Sequence, residues 1–351
     1  MVWLAASAAS GDLRSYTRRV RSPSVIVAFA VASLACSVPI EPNTPAAPPD
    51  RPPAAAASPS GAVVPVPLGP LPLATASAIG AVPSPRGIAV DATSAYVTSF
   101  GDPGIFRIPK AGGAATKIAT ASWPTYVAVD STHVYWTDLA KSDADANVAR
   151  VPVDGGSVQV LAAGLHGPNS ATLDGPRIFF AESGRVASVP RAGGAVVTFA
   201  SSAAPYYVAT NATTVCWADR GNGRIDCEPS SGGSTFTLIA DDGILALGLS
   251  DGAAYWLNGA GELRTIALVV GPARTLAREV AGALAAELRV EKSGVYWAWG
   301  HRTEGAVRRL AGSTVTTYAS GENAMAMGVA VDDTHVYWTA VKEALIRRAP
   351  Q

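Results

Sequence analysis

Seven copies of one short unit, each built from brief β-rich runs separated by polar turns, predict an all-β fold. A Pro-x-x-Gly-Gly turn that recurs inside the units, and a last unit that is one strand short, narrow this to a seven-bladed β-propeller. Its blades are four-stranded and antiparallel, and its ring is closed by an N-terminal strand.

The unit is clearest in Val127-Ala128-Val129-Asp130-Ser131-Thr132-His133-Val134-Tyr135-Trp136-Thr137. It returns near the C-terminus as Val329-Ala330-Val331-Asp332-Asp333-Thr334-His335-Val336-Tyr337-Trp338-Thr339. Weaker copies lie between, anchored at Asp91, Asp130, Asp174, Asn211, Ser250, Glu291 and Asp332. The intervals run from 37 residues (Asp174 to Asn211) to 44 (Asp130 to Asp174), and a unit of that size cannot bury its own apolar face. Within a unit, residues 126–129 read as a first strand, the anchor as a turn, and residues 133–137 as a second strand. A third strand ends at the turns Pro109-Lys110-Ala111-Gly112-Gly113, Pro152-Val153-Asp154-Gly155-Gly156, Pro190-Arg191-Ala192-Gly193-Gly194 and Pro229-Ser230-Ser231-Gly232-Gly233. Proline has no N–H for the ladder, and glycine accepts the positive φ that such a turn needs. Residues 157–161 read as a fourth strand, and four strands per unit favour a propeller over a solenoid. The seventh unit stops after three strands, and Leu73-Ala74-Thr75-Ala76 resembles the fourth strand of the first unit, Ile118-Ala119-Thr120-Ala121. Residues 72–77 are therefore predicted to complete the last blade and remove its exposed edge.

The chain divides into residues 1–36, an export signal; 37–71, a tether; and 72–351, the propeller. Arg14, Arg18, Arg19 and Arg21 precede an uncharged, mostly apolar run over 25–35, which is too short for the roughly 20 residues of a membrane-spanning helix. Ser33-Leu34-Ala35-Cys36 resembles a bacterial lipobox, with Ser33 where leucine is usual, which implies lipidation of Cys36. Ordinary cleaved secretion is the alternative. The tether is rich in Pro and Ala, as in Pro52-Pro53-Ala54-Ala55-Ala56-Ala57, and is expected to be extended and disordered. Lys plus Arg number 27, as do Asp plus Glu, and only 15% of residues are charged, so nothing recommends a nucleic-acid partner. Contact with a membrane is expected through the lipid anchor only, in a monomer of the bacterial cell envelope, on its periplasmic or outer surface.

Tyr135-Trp136-Thr137-Asp138 and Tyr337-Trp338-Thr339 resemble the YWTD repeat of LDL-receptor-type propellers over residues 72–351. That family has six blades where seven units are counted here, and its closing Asp recurs only at Asp138 and Asp219. The resemblance implies propeller architecture and leaves the ligand open. Streptogramin lyases and NHL-like propellers are comparable cousins.

Cys216 and Cys227 fall on the second and third strands of the fourth unit, where hairpin register brings them opposite each other; a disulfide is expected, with two free thiols as the alternative. His133 and His335 share one repeat position and read as structural. Asp143-Ala144-Asp145-Ala146-Asn147 has calcium-loop alternation without the required Gly or Glu, and reads as a solvated loop. Propellers present ligands around the channel mouth, and there the repeats map Trp123, Tyr126, His166, Asn169, Tyr206, Trp299 and His301, an aromatic, sparsely charged face suited to a protein, peptide or glycan. The same residues could instead plug the channel. Gluconolactonase-like propellers hold a metal with Glu, Asn and Asp around the channel mouth; the matching positions here are Arg86, Thr125, Asn169, Tyr206, Leu245, Ala286 and Met327, with a single amide among them, so neither metal nor cofactor is expected, and no catalytic residue is assigned. A binding scaffold is the first reading; a lyase or lactonase is the alternative.

Overall fold

The computed structural model describes residues 76–351 except 143, 270, 280–281, 283–284, 301–303 and 322–323, and every regular element among them is a β-strand. Cys36, His301, Asp143, the export signal and the tether lie outside the described residues. The strands form seven separate four-stranded antiparallel sheets. Blade 2 shows the plan: innermost strand Pro124–Val129, then His133–Asp138 and Asn147–Pro152, with Gln159–Ala163 outermost. Each innermost strand packs against those of both neighbouring blades, that of blade 1 against that of blade 7, so a seven-bladed propeller encloses a central channel.

Side chains alternate across a strand, and a blade held between two others must be apolar on both faces. The Tyr-Trp pair supplies both. Trp136 packs with Ile105 and Val127 towards blade 1, whereas Tyr135 packs with Ile178 and Phe180 towards blade 3. Tyr337 and Trp338 repeat this between blades 1 and 6. The following Thr has a different task. At the entrance of the innermost strand a β-bulge sets two residues against one: Arg86 and Gly87 against Thr98, Thr125 and Tyr126 against Thr137, Met327 and Gly328 against Thr339. The buried Thr hydroxyl accepts the N–H of Gly87 (2.9 Å), Tyr126 (3.2 Å) or Gly328 (2.9 Å). It also donates to a carbonyl of the next blade: Thr137 to Asn169 at 3.4 Å and Thr339 to Arg86 at 2.9 Å. Blade 6 lacks this bulge, and its innermost strand Ala285–Glu291 pairs one-to-one with Gly294–Gly300.

The anchor aspartates cap their turns. Asp130 accepts the N–H groups of Thr132 (2.8 Å) and His133 (2.9 Å) and the Tyr135 hydroxyl (2.8 Å), and Asp91 and Asp332 repeat the set. Burial alone would raise their carboxyl pKa values, but these hydrogen bonds, with the Lys110 ammonium as the largest contributor at Asp332, outweigh it and hold all three low, Asp130 at about 2. The stability they contribute is complete above the unfolded value of about 3.9 and is lost as pH falls towards 2. Urea denaturation is expected to show an acid limb in that window that becomes shallower in Asp130→Asn; an unchanged slope would contradict this assignment. The repeated arginines tie blades together: Arg150 donates to the Arg191 carbonyl of blade 3 and Arg348 to the Lys110 carbonyl of blade 1.

Cys216 and Cys227 are directly opposed across the second and third strands of blade 4 and form a disulfide. They occupy the positions that Tyr135 and Arg150 hold in blade 2, so the bond replaces a Tyr–Arg cross-strand pair. Replacing both cysteines by alanine is expected to lower the unfolding free energy by about 3 kcal/mol, read from denaturation midpoints. A change indistinguishable from zero would show that the bond is dispensable.

The ring is closed by an N-terminal strand, but this strand is Ser77–Ala81, paired with Leu345–Pro350, and not residues 72–77. Linker length explains the difference. Three residues separate Thr120, the end of the outer strand of blade 1, from Pro124, and three likewise separate Ala81 from Pro85. Ile79 is thus the counterpart of Ile118 and lies buried beside Ile108 and Ile346; residues 72–75 lie outside the described residues.

Candidate ligand-binding face at the channel mouth

The channel holds a cavity of about 500 Å³ walled by the innermost strands. The bulge that the buried Thr residues brace brings Arg86, Thr125 and Met327 to the channel wall, joined by Asn169 of blade 3 and by Tyr206, the bulged residue of blade 4. Blade 6, without a bulge, presents positions two apart along one strand face: Glu287, Arg289 and Glu291.

Two arrangements of charge result. Arg289 pairs with Glu287 and lies 5.8 Å from the Tyr126 ring centroid, while Glu287 also accepts the Val329 N–H at 3.2 Å. Burial works against the Arg289 charge, but the Glu287 carboxylate and Tyr126 more than offset it and hold its pKa above the ordinary value. Burial pushes the Glu287 carboxyl up, with Arg289 opposing, and also raises the Tyr126 hydroxyl. Arg86 is held differently. Its guanidinium lies 4.2 Å from the centroid of Phe100, a residue of the loop between the second and third strands of blade 1. Burial depresses its pKa, and Tyr206 is the group that counteracts this. Phe100 in turn sits 5.9 Å from Trp123, which is 49% exposed. On the other side Arg220 lies 4.5 Å from the Tyr206 ring, which meets Tyr207 edge-on at 4.8 Å.

Of the residues mapped to this face from the sequence, Tyr126, Asn169 and Tyr206 line the channel and Trp123 stands on its rim. His166 is exposed, and its backbone N–H donates to Glu182. Trp299 is not on the face. It is 2% exposed and packs with Leu257, Leu263 and Trp297, because the second strand of blade 6 runs on to Gly300 and keeps Trp299 on the same side as Trp297. Of the lactonase-like positions, Arg86, Thr125, Asn169, Tyr206 and Met327 do face the channel, whereas Leu245 is buried in the core. Among the described residues, no three or more His, Cys, Asp or Glu side chains are grouped to hold a metal ion. Sequence reasoning placed Arg86 at the mouth without a role and missed Phe100, Arg220 and the Glu287–Arg289 pair as site residues. The available signal was the residue after the blade-opening proline, as in Pro85-Arg86 and Pro205-Tyr206, which the bulge delivers to the channel.

The fold and this channel define a seven-bladed β-propeller with an aromatic, arginine-bearing mouth. No protein-family model and no curated protein matches the chain. Solved structures resemble it in fold. PorZ, an essential bacterial surface component of the type-IX secretion system of Porphyromonas gingivalis, is 13% identical with a TM-score of 0.56, over 77% of this chain and 37% of that one. Ika8, a computationally designed protein, is 10% identical with a TM-score of 0.54, over 78% and 99%. A chain of a nidogen/laminin complex is 21% identical with a TM-score of 0.47, over 54% and 78%.

Proposed function

We propose that the protein is an extracytoplasmic binding scaffold that captures a polypeptide partner on the face around the channel mouth. One observation carries this reading: Trp123 is half exposed on the rim and backed by Phe100, with Tyr206 and two arginines beside the same opening. Large aromatic and arginine side chains supply most of the energy of protein interfaces, and a shallow cavity ringed by them offers pockets for a partner's side chains. The disulfide supports an oxidising compartment, in keeping with the N-terminal export pattern and a lipid-bearing Cys36 on a Pro/Ala tether. In lineage the scaffold is a relative of YWTD-type propellers with a seventh blade, supported by the Tyr-Trp-Thr geometry of blades 2 and 7.

The test is capture from envelope extracts by immobilised full-length protein. The combined change Trp123→Ala and Tyr206→Ala is expected to abolish capture of a partner that the wild type retains. Val160→Ser, on the outer strand of blade 2, is expected to leave it intact. Loss with the outer-strand variant and retention with the mouth variant would overturn the reading.

A further inference from the structure

The channel mouth contains a cation that the described residues leave without a paired carboxylate. Arg86 makes no hydrogen bond or ion pair with any carboxylate among the described residues; its neighbours are the Phe100 ring and Tyr206. Glu287, on the innermost strand of blade 6, is engaged by Arg289 and by the Val329 N–H. Five arginines of the propeller contrast with this, Arg107, Arg185, Arg224, Arg264 and Arg347 each meeting a carboxylate, whereas Arg220 on the far side of Tyr206 shares with Arg86 an aromatic neighbour. A guanidinium drawn out of bulk water without a counter-ion costs stability, and its planar fork matches a carboxylate edge-on while its face remains on an aromatic ring. Phe100 takes that face here, and Arg86 lines the cavity. Glu287 and Glu291 line the same cavity, yet Tyr206, not a carboxylate, is the group that acts on Arg86.

We infer that Arg86 is the anchor for a carboxylate of the polypeptide ligand, with the Tyr206 hydroxyl as a second donor and the Phe100–Trp123 shelf receiving the neighbouring apolar side chain. The inference rests on reading the channel mouth as the binding face. The carboxylate could belong to a chain terminus or to an acidic side chain. Both place two oxygens against the same fork. Asn169, whose side-chain N–H donates to the Gly167 carbonyl at 2.9 Å, and Thr125, whose hydroxyl meets that of Thr137 at 2.9 Å, are held in fixed orientations on the adjoining wall.

The experiment is a ligand-observed NMR titration of the full-length protein with three peptide probes. N-acetyl-phenylalanine carries a terminal carboxylate, N-acetyl-aspartyl-phenylalanine amide an acidic side chain, and N-acetyl-phenylalanine amide neither. At least one acidic probe is expected to bind saturably and about tenfold or more tighter than the neutral amide, the range of a charge-assisted hydrogen bond. Whichever acid binds tighter identifies the source of the carboxylate. Arg86→Met is expected to bring binding of the acids down to that of the neutral amide, with Arg86→Lys intermediate and the melting temperature equal to or above that of the wild type. Equal binding of acids and amide by the wild type, no saturable binding of any probe, or an acid preference that survives Arg86→Met would overturn the anchor. Tighter binding of glucuronate than of either peptide acid would overturn the polypeptide assignment. If partner capture depends on Trp123 and Tyr206 but the acid preference is absent, the anchor fails while the binding-face reading stands.

Discussion

Ile79→Asp is expected to lower the unfolding free energy by at least about 3 kcal/mol and to make the protein prone to aggregation. Ile79 is 3% exposed in the core shared by blades 7 and 1, beside Val82, Ile108 and Ile346. A carboxylate cannot remain there without a partner, so the closing strand must leave or the core must open. Either way the third strand of blade 7, Leu345–Pro350, loses its neighbour and presents a free edge. Val82 and Gly113 lose their backbone bonds to Ala344 and Ile79, at 2.9 and 3.0 Å, so the damage reaches blade 1. The same substitution at Leu73 discriminates the two registers for closure: only the change at Ile79 is expected to open the ring. Equal melting temperatures for Ile79→Asp and the wild type would refute this closure.

Asp219→Ala is expected to cost about 3 kcal/mol or more, because it orphans a cluster of donors. Asp219 is fully buried at the end of the second strand of blade 4. It accepts the Ser202 hydroxyl (2.7 Å), the N–H groups of Ala203 (3.1 Å) and Ala204 (3.3 Å) from the linker entering the blade, and those of Gly221 (3.0 Å) and Asn222 (3.1 Å) from the following loop. Burial would raise its pKa, but these bonds outweigh it and hold the carboxyl low. Ser202 also receives the Trp217 indole N–H at 3.1 Å, so the loss extends into the blade core. Asp219→Asn keeps one acceptor oxygen and is expected to cost about half as much, since only part of the donor set is abandoned. Equal costs for Ala and Asn would contradict this account, as the effect would then be one of charge alone.

The same position shows how far the sequence could be read. The closing Asp of the motif is visible at Asp138 and Asp219, but in blades 1, 3 and 5 its place is taken by Ser99, Glu182 and Asn258, which also tie the entering linker to the strand end. Any side chain with a suitably placed polar atom serves, so selection leaves no single letter to follow. The Tyr-Trp pair was legible because two apolar faces must be filled in every blade. The Gly-Gly turns were legible because both glycines adopt positive φ, 97° and 146° at Gly112 and Gly113. The channel was less so. The repeats located Tyr206 and the position of Arg86, but Phe100, Arg220 and the Glu287–Arg289 pair each occur once, and periodicity is blind to what does not repeat. Trp299 was misplaced for a related reason: blade 6 omits the bulge and lengthens its strand, so a residue expected in a loop continues the alternation begun at Trp297.

Hydrogen–deuterium exchange on the full-length protein, free and bound to its captured partner, tests the central claim most directly. Protection is expected in the segments that surround the channel mouth, residues 83–87, 99–102, 121–126 and 203–207, with the outer strands Gln159–Ala163 and Val197–Ser201 unchanged. Protection confined to those outer strands, with the mouth segments exchanging as in the free protein, would contradict it.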